Sequence, residues 1–198
     1  LIGLMNLDFG IAERAIPAYR QALKLSPPAD VREELVRELA RAQIELRDYA
    51  GALKSLEHTA PDALSAALQA ECLWNLGQRE KAEEPLSLAR KFDPNERRLL
   101  LLEAKVHIAD RKPELVVESM RRAVELDPHD AESRYQLALA YRQLGRIEDS
   151  TRELAESEKS SELMRRLSKL TIRAIQEPAN AEIRRELAVL CEKTGKTK

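Results

Sequence analysis

The sequence predicts an all-α fold in which helix–turn–helix hairpins follow one another along the chain. Apolar residues at helical spacing, glycines and prolines placed between the helical segments, and small residues that recur at similar intervals all favour this fold. The composition agrees, because 43% hydrophobic, 34% charged and only 4% aromatic residues suit helices that each keep one exposed face. A stack of such hairpins would share one elongated core.

The segment 131–154, AESRYQLALAYRQLGRIEDSTREL, shows the hairpin most clearly. Its first half carries an apolar helical face, and Gly145 ends that helix because glycine adopts the left-handed conformation at little steric cost. Its second half turns a small or apolar face back toward the first. Before it, Asp127-Pro128 ends an earlier helix, since proline cannot continue one. The positions that form the two faces are Leu137, Ala138, Tyr141, Leu144, Ile147, Ser150, Thr151 and Leu154.

Markers of this hairpin recur in register along the chain, in steps of 37, 30, 34 and 34 residues. Small residues in the first helices lie at Gly3, Ala40, Ala70, Ala104, Ala138 and Ala188. Turns follow at Gly10, Arg47, Gly77, Arg111, Gly145 and Gly195. The second helices carry a small residue at Ala15, Ala52, Ala82, Val116 and Ser150. A small residue at a helix crossing lets two backbones approach to about 8–10 Å, so we expect these residues to be buried.

The hairpin resembles the tetratricopeptide repeat, a pair of antiparallel helices of about 34 residues. Leu137-Ala138, Tyr141, Gly145, Ser150 and the preceding Asp127-Pro128 match the family pattern, whereas Arg134 stands where the repeat usually has tryptophan. The resemblance implies a right-handed α-solenoid that forms one array over residues 1–198. The repeats are then 1–28 (partial), 31–60, 63–95, 97–130, 131–177 with an extended second helix, and 181–195, the first helix of a truncated repeat.

Two intervals depart from the regular step. The segment from Ser26 to Asp30 adds a longer loop, and we expect Asp30 to cap the next helix. Between Gly145 and Gly195 the step is 50 residues, and no glycine or proline occurs from 146 to 177. This favours one long second helix whose polar middle, 156–162, projects beyond the repeat stack. The alternative is a break near Ser160-Ser161, either of which can cap a new helix.

The ends of the sequence match interior positions of a repeat. Leu1-Ile2-Gly3 aligns with the middle of a first helix, and the helix before Gly195 lacks a partner. We therefore expect the sequence to be a segment of a longer protein, and no localisation is assigned.

Composition and motifs limit the function. A net charge of −1 does not favour nucleic-acid binding, and no apolar run approaches the roughly 20 residues of a membrane span. Cys72 and Cys191 are predicted to be core residues of different repeats. The three histidines have no recurring catalytic partner, and no phosphate loop or metal-ligand spacing occurs. We expect no enzymatic activity, cofactor or metal.

The family resemblance implies a scaffold that binds a peptide or helix of a partner protein on its concave side, which the first helices line. Chaperone-type carboxylate binding is not expected, because the required asparagines are missing and Glu71 would repel an acidic tail. The residues predicted to line this groove are Arg37, Arg41, Leu68, Glu71, Trp74, Asn75, Leu101, Leu102, Lys105, Ile108, Tyr135, Leu139 and Arg142.

Three alternatives to this groove remain. The apolar groove residues can instead pack between neighbouring repeats, which is the usual role of leucine and tryptophan in such positions. The array can act as a spacer or self-associate through its long helix and open ends. It can also be a regulatory arm of an enzyme whose catalytic part lies outside these residues.

Overall fold

A computed structural model describes residues 12–195 of the chain. This part forms ten helices and contains no strand. The predicted small residue Gly3 and turn residue Gly10 lie outside the described residues. The helices are α1 (Ala12–Lys24), α2 (Ala29–Glu45), α3 (Tyr49–Leu56), α4 (Ala63–Asn75), α5 (Arg79–Phe92), α6 (Arg97–Ala109), α7 (Pro113–Leu126), α8 (Ala131–Gln143), α9 (Ile147–Gln176) and α10 (Ala181–Thr194).

The chain divides into two compact units, Leu1–Val106 and His107–Lys198. In the first unit each helix from α1 to α5 packs on the next, and α2 also packs on α4. A cluster around Ala67, Ala89 and Leu99 joins α4, α5 and α6. In the second unit α8 packs on α7, α9 on α8, and α10 on α9. Each unit is therefore built from antiparallel neighbours in sequence order. No helix within residues 12–195 combines the length and apolar composition of a membrane span.

The predicted turns within the described residues all have left-handed backbone conformation. Gly77, Gly145 and Gly195 have φ angles of 76°, 73° and 70°, and the non-glycine residues Arg47 and Arg111 have 60° and 57°. A left-handed residue after the last helical turn directs the chain into the next helix. The turn prediction is confirmed at these five positions.

The small residues predicted at the helix crossings, which we call seam residues, are buried in nine of the ten described positions. Ala40, Ala70, Ala104 and Ala138 in the first helices are at most 1% exposed. Ala188 on α10 is the exception, because it is exposed. Buried seams are what allow helices of one unit to lie in contact. The buried second-helix residues are Ala15, Ala52, Ala82, Val116 and Ser150. Ile147, Thr151 and Leu154, which were predicted to face the first helix of their hairpin, are instead exposed, so that prediction is wrong for these three residues.

Helix α9 runs without a break through 30 residues, so the structure has the continuous helix and not the break near Ser160-Ser161. Its polar middle differs from expectation. Ser157 and Ser160 are buried, and the Ser157 hydroxyl donates a hydrogen bond to the Ala131 carbonyl at 2.7 Å. The prediction that this polar middle projects freely is therefore wrong, because a small hydroxyl can be buried once its hydrogen bond is satisfied.

The start of α2 also differs from the prediction. Pro28 occupies the position before the helix, and Asp30 lies in the first turn rather than capping it. There its negative charge favours the helix through the partial positive charge of the N-terminus.

Candidate partner-binding face

Three successive first helices of the first unit carry a charged residue in the same repeat position. Arg41, Glu71 and Lys105 each directly follow the buried seam alanine of α2, α4 and α6. Because the seam alanine fixes the rotation of each helix, the next residue occupies an equivalent place on all three. We call this surface the ladder face, defined by Arg41, Glu71 and Lys105 together with the ionic partners described below.

The centre of the ladder face is a carboxylate held by two cations. Glu71 on α4 accepts hydrogen bonds from Lys105 Nζ at 2.7 Å and Arg98 Nη1 at 3.1 Å, both on α6. The Glu71 side chain is only 6% exposed, whereas that of Lys105 is 45% exposed. Arg98 and Lys105 are seven residues apart, so they share one face of α6. One buried negative charge thus faces two positive charges, and the more exposed cation is directed to solvent.

A second ion pair links α2 to the start of α4. Arg37 Nη1 lies 2.8 Å from Asp62 Oδ2, and Asp62 also caps α4 by accepting a hydrogen bond from the Ser65 backbone N–H. Arg41, one turn further along α2, pairs with Glu38 at 2.7 Å. The Arg41 side chain remains 37% exposed. The ladder face therefore connects α2, α4 and α6 through ion pairs and leaves Arg41 and Lys105 accessible.

The apolar centre predicted for the groove is not accessible. Leu68, Leu101 and Leu102 are at most 6% exposed. Their expected placement toward a partner is corrected by this burial: they act as core residues, which was the alternative interpretation of these leucines. The first helices have apolar residues on more than one side, and helical spacing does not distinguish the side that faces solvent from the side that faces a neighbouring helix.

The two remaining predicted residues on α4 differ in accessibility. Trp74 is half-buried, and the Arg79 guanidinium lies over its ring at 4.6 Å from the centroid. Asn75 is exposed, and its amide donates to the Glu71 carbonyl at 2.7 Å. Trp74 therefore contacts the second helix of its own hairpin and lies one turn from the Glu71 carboxylate.

The predicted groove residues of the second unit are mostly accessible. Ile108 and Tyr135 are 43% and 48% exposed, Arg142 is exposed, and Leu139 is half-buried. Within the described part of the chain these four side chains make no hydrogen bond or ion pair. They remain candidates for contact with a partner.

The negative charge of Glu71 is balanced within the fold by Arg98 and Lys105. Arg98 was absent from the residues predicted for the groove. A signal was present: Glu71 and Lys105 are separated by 34 residues, one repeat, so opposite charges occupy equivalent positions, and Arg98 lies on the same side of α6 as Lys105.

The residues that the structure describes do not form a metal site or a reactive cysteine. Among residues 12–195 no group of three or more His, Cys, Asp or Glu side chains is arranged to hold a metal ion. Burial, and secondarily the negative charge of Glu71, raise the pKa of the Cys72 thiol to about 12. A neutral, buried thiol is a poor nucleophile, so Cys72 serves packing. Cys191 is half-buried, and both cysteines are free.

A shallow pocket in the second unit is lined by Arg121, Arg146 and Arg152. Each arginine already has a carboxylate: Arg121 pairs with Glu125, and the other two share Asp149. These pairs, first of all the hydrogen bond from Arg146, lower the pKa of Asp149, so the carboxylate stays charged. The pocket is therefore not an anion site with surplus positive charge.

One segment of the chain matches a known family of repeat proteins. A family model described as tetratricopeptide repeat matches residues 120–151, which include the end of α7, all of α8 and the turn at Gly145. Residues 120–151 therefore match the tetratricopeptide repeat. No curated protein matches the chain.

At the position of the usual tryptophan, the tetratricopeptide hairpin of this chain has Arg134. This arginine pairs with Glu153 of α9 at 2.6 Å and donates to the Pro128 carbonyl at 2.8 Å. An ion pair between the two helices thus replaces an aromatic contact.

Solved structures extend the likeness beyond that segment. A thermophilic tetratricopeptide repeat protein of Thermus thermophilus, TTC0263, is 20% identical, with 95% of this chain and 94% of that chain covered and a TM-score of 0.63. A crystal structure of MamA is 16% identical over 82% and 95% of the two chains, with a TM-score of 0.53. A MamA structure from Desulfovibrio magneticus RS-1 is 18% identical over 81% and 92%, with a TM-score of 0.50. At these identities the likeness shows the fold, and the predicted all-α repeat fold is confirmed.

Proposed function

We propose that this protein is an interaction scaffold that binds an acidic, amphipathic segment of a partner protein on the ladder face. Stacked helical repeats present extended surfaces that serve in protein recognition. The observation that carries the proposal is the cluster at Glu71, where one buried carboxylate faces two cations. A partner carboxylate would supply the second negative charge.

The accessible cations support an acidic ligand. Lys105 and Arg41 are each more than a third exposed, whereas their partners Glu71 and Glu38 are nearly buried. A ligand therefore meets the positive charges before the negative ones. Charge-assisted hydrogen bonds from such groups are among the stronger polar contacts in protein recognition, and they fix the register of the ligand. The burial of Leu68, Leu101 and Leu102 shifts the expected ligand from a mainly apolar segment to an amphipathic one.

The single tryptophan provides a reporter for this binding. Trp74 lies on α4 one turn from Glu71 and is half-buried, so a ligand on the ladder face is expected to change its fluorescence. The probes are a tryptophan-free amphipathic peptide with glutamates beside leucines and the same peptide with lysine in place of each glutamate. The glutamate peptide is expected to bind and the lysine peptide is not.

Two lysine variants test the position of the site. Lys105→Gln removes the exposed cation of the cluster. It is expected to weaken the affinity for the glutamate peptide by about threefold to tenfold. Lys54→Gln makes the same chemical change on the exposed surface of α3 and is expected to leave the affinity unchanged. The proposal fails if the lysine peptide binds as well as the glutamate peptide, or if the two variants weaken binding equally.

A further inference from the structure

Helix α9 has its charge divided between its two halves. Residues 147–162 carry six acidic and two basic side chains, a net charge of −4, and residues 163–176 carry four basic and no acidic side chains, a net charge of +4. The helix dipole favours this order only in the first and last turns, so it does not account for the charges in the middle of the helix. The distribution over 30 residues therefore needs another explanation.

The packing of α9 leaves one side of both halves exposed. The first half packs on α8 through Ser157 and an ion pair between Glu153 and Arg134, and the second half packs on α10 through a cluster around Leu170. The opposite side forms a stripe at helical spacing. Its members are Leu154, Glu158, Glu162, Arg165, Lys169 and Ile172, all of them exposed. Leu154 and Ile172 lie about five turns and about 27 Å apart, so they mark the two ends of one line along the helix.

We propose that this stripe binds the same stripe of a second copy of the chain in antiparallel orientation, a contact that goes beyond the ladder face. A two-fold axis near Leu163 would place Leu154 of one copy opposite Ile172 of its partner. The same axis places Glu158 opposite Lys169 and Glu162 opposite Arg165. Two-fold symmetry makes each of these contacts occur twice, as a self-complementary surface requires.

The present partners of these side chains agree with such a contact. No ion pair of Glu158 or Lys169 occurs in the part of the chain that the structure describes, and Glu162 pairs only with Arg165 of its own helix. In the antiparallel pair Glu162 and Arg165 would each meet an opposite charge on the second copy. A parallel pair would place like charges together, which excludes that orientation. A contact along a single helix is small, so we expect a weak dimer that salt weakens further.

Charge reversal tests this contact with an internal rescue. Glu158→Lys alone makes positions 158 and 169 both positive, and Lys169→Glu alone makes both negative, so neither variant is expected to pair with itself. In a mixed dimer that contains one copy of each variant, position 158 of each copy faces an opposite charge at position 169 of the other copy. Sedimentation velocity from about 5 to about 500 µM at low salt is expected to show association of the wild type and of the mixture, with at least tenfold weaker association of each variant alone.

The control is Lys54→Glu, the same kind of reversal on exposed α3, which is expected to associate as the wild type does. A wild type that stays monomeric over this range overturns the proposal. So does a mixture that associates no better than the separate variants, because misfolding of one variant cannot mimic a restored mixture. The ladder-face variants are separate from these, so either proposal can fail without the other.

Discussion

Arg47 and Arg111 adopt a backbone conformation that the other repeat turns give to glycine. Their φ angles of 60° and 57° lie in the left-handed region, which costs a residue with a β-carbon about 1 kcal/mol or more. Both side chains are exposed. Arg47→Gly is therefore expected to raise the free energy of unfolding by about 0.5–1 kcal/mol, after the extra freedom of glycine in the unfolded chain is allowed for.

The same substitution inside a helix serves as the control. Arg142 is exposed in α8, where Arg142→Gly is expected to lower the free energy of unfolding by about 1 kcal/mol. Urea denaturation measures both variants. A destabilised Arg47→Gly variant would show that the arginine side chain makes a contact that outweighs its backbone strain.

At the scale of single residues, the sequence predicted these turns because small and turn residues recur in phase, even where arginine replaces glycine. It did not predict the partners of Glu71. Arg98 and Lys105 lie 27 and 34 residues away, so their contacts depend on how α4 and α6 are rotated and on which side faces solvent.

Between neighbouring helices, the buried seam alanines set how closely the backbones approach. Ala138 on α8 is fully buried, while Ala188 occupies the same repeat position on α10 and is exposed. Ala138→Leu is expected to lower the free energy of unfolding by about 1–3 kcal/mol, because the added atoms do not fit a closely packed seam.

Ala188→Leu adds the same atoms at the surface and is expected to change stability by less than about 0.5 kcal/mol. Thermal unfolding followed by circular dichroism compares the two variants. Equal loss in both, or no loss in Ala138→Leu, would contradict the role given to the seams.

Helix α9 shows what sequence can and cannot predict about an element. Its continuity followed from the absence of glycine and proline between 146 and 177. The burial of Ser157 did not follow, because the carbonyl that accepts its hydrogen bond belongs to Ala131 on another helix. Polarity along a helix therefore predicts exposure only where no neighbouring helix supplies a partner.

For the whole molecule, the repeat pattern was sufficient to predict the fold class, because each hairpin is specified by local markers. The binding surface was less predictable. Arg41 and Lys105 are accessible, whereas Leu68, Leu101 and Leu102 are buried. In a stacked fold each helix has several neighbours, and an apolar residue at the right spacing can face any of them. The accessible chemistry of the ladder face is consequently ionic.

The most direct test of the ladder face is amide chemical-shift mapping of the whole chain titrated with the glutamate peptide. The largest changes are expected at Arg41, Asn75, Arg98 and Lys105 of α2, α4 and α6. Changes centred on the second helices α3 and α5, or on α9, would contradict this expectation, since the partner would then bind a surface without the two cations that face Glu71.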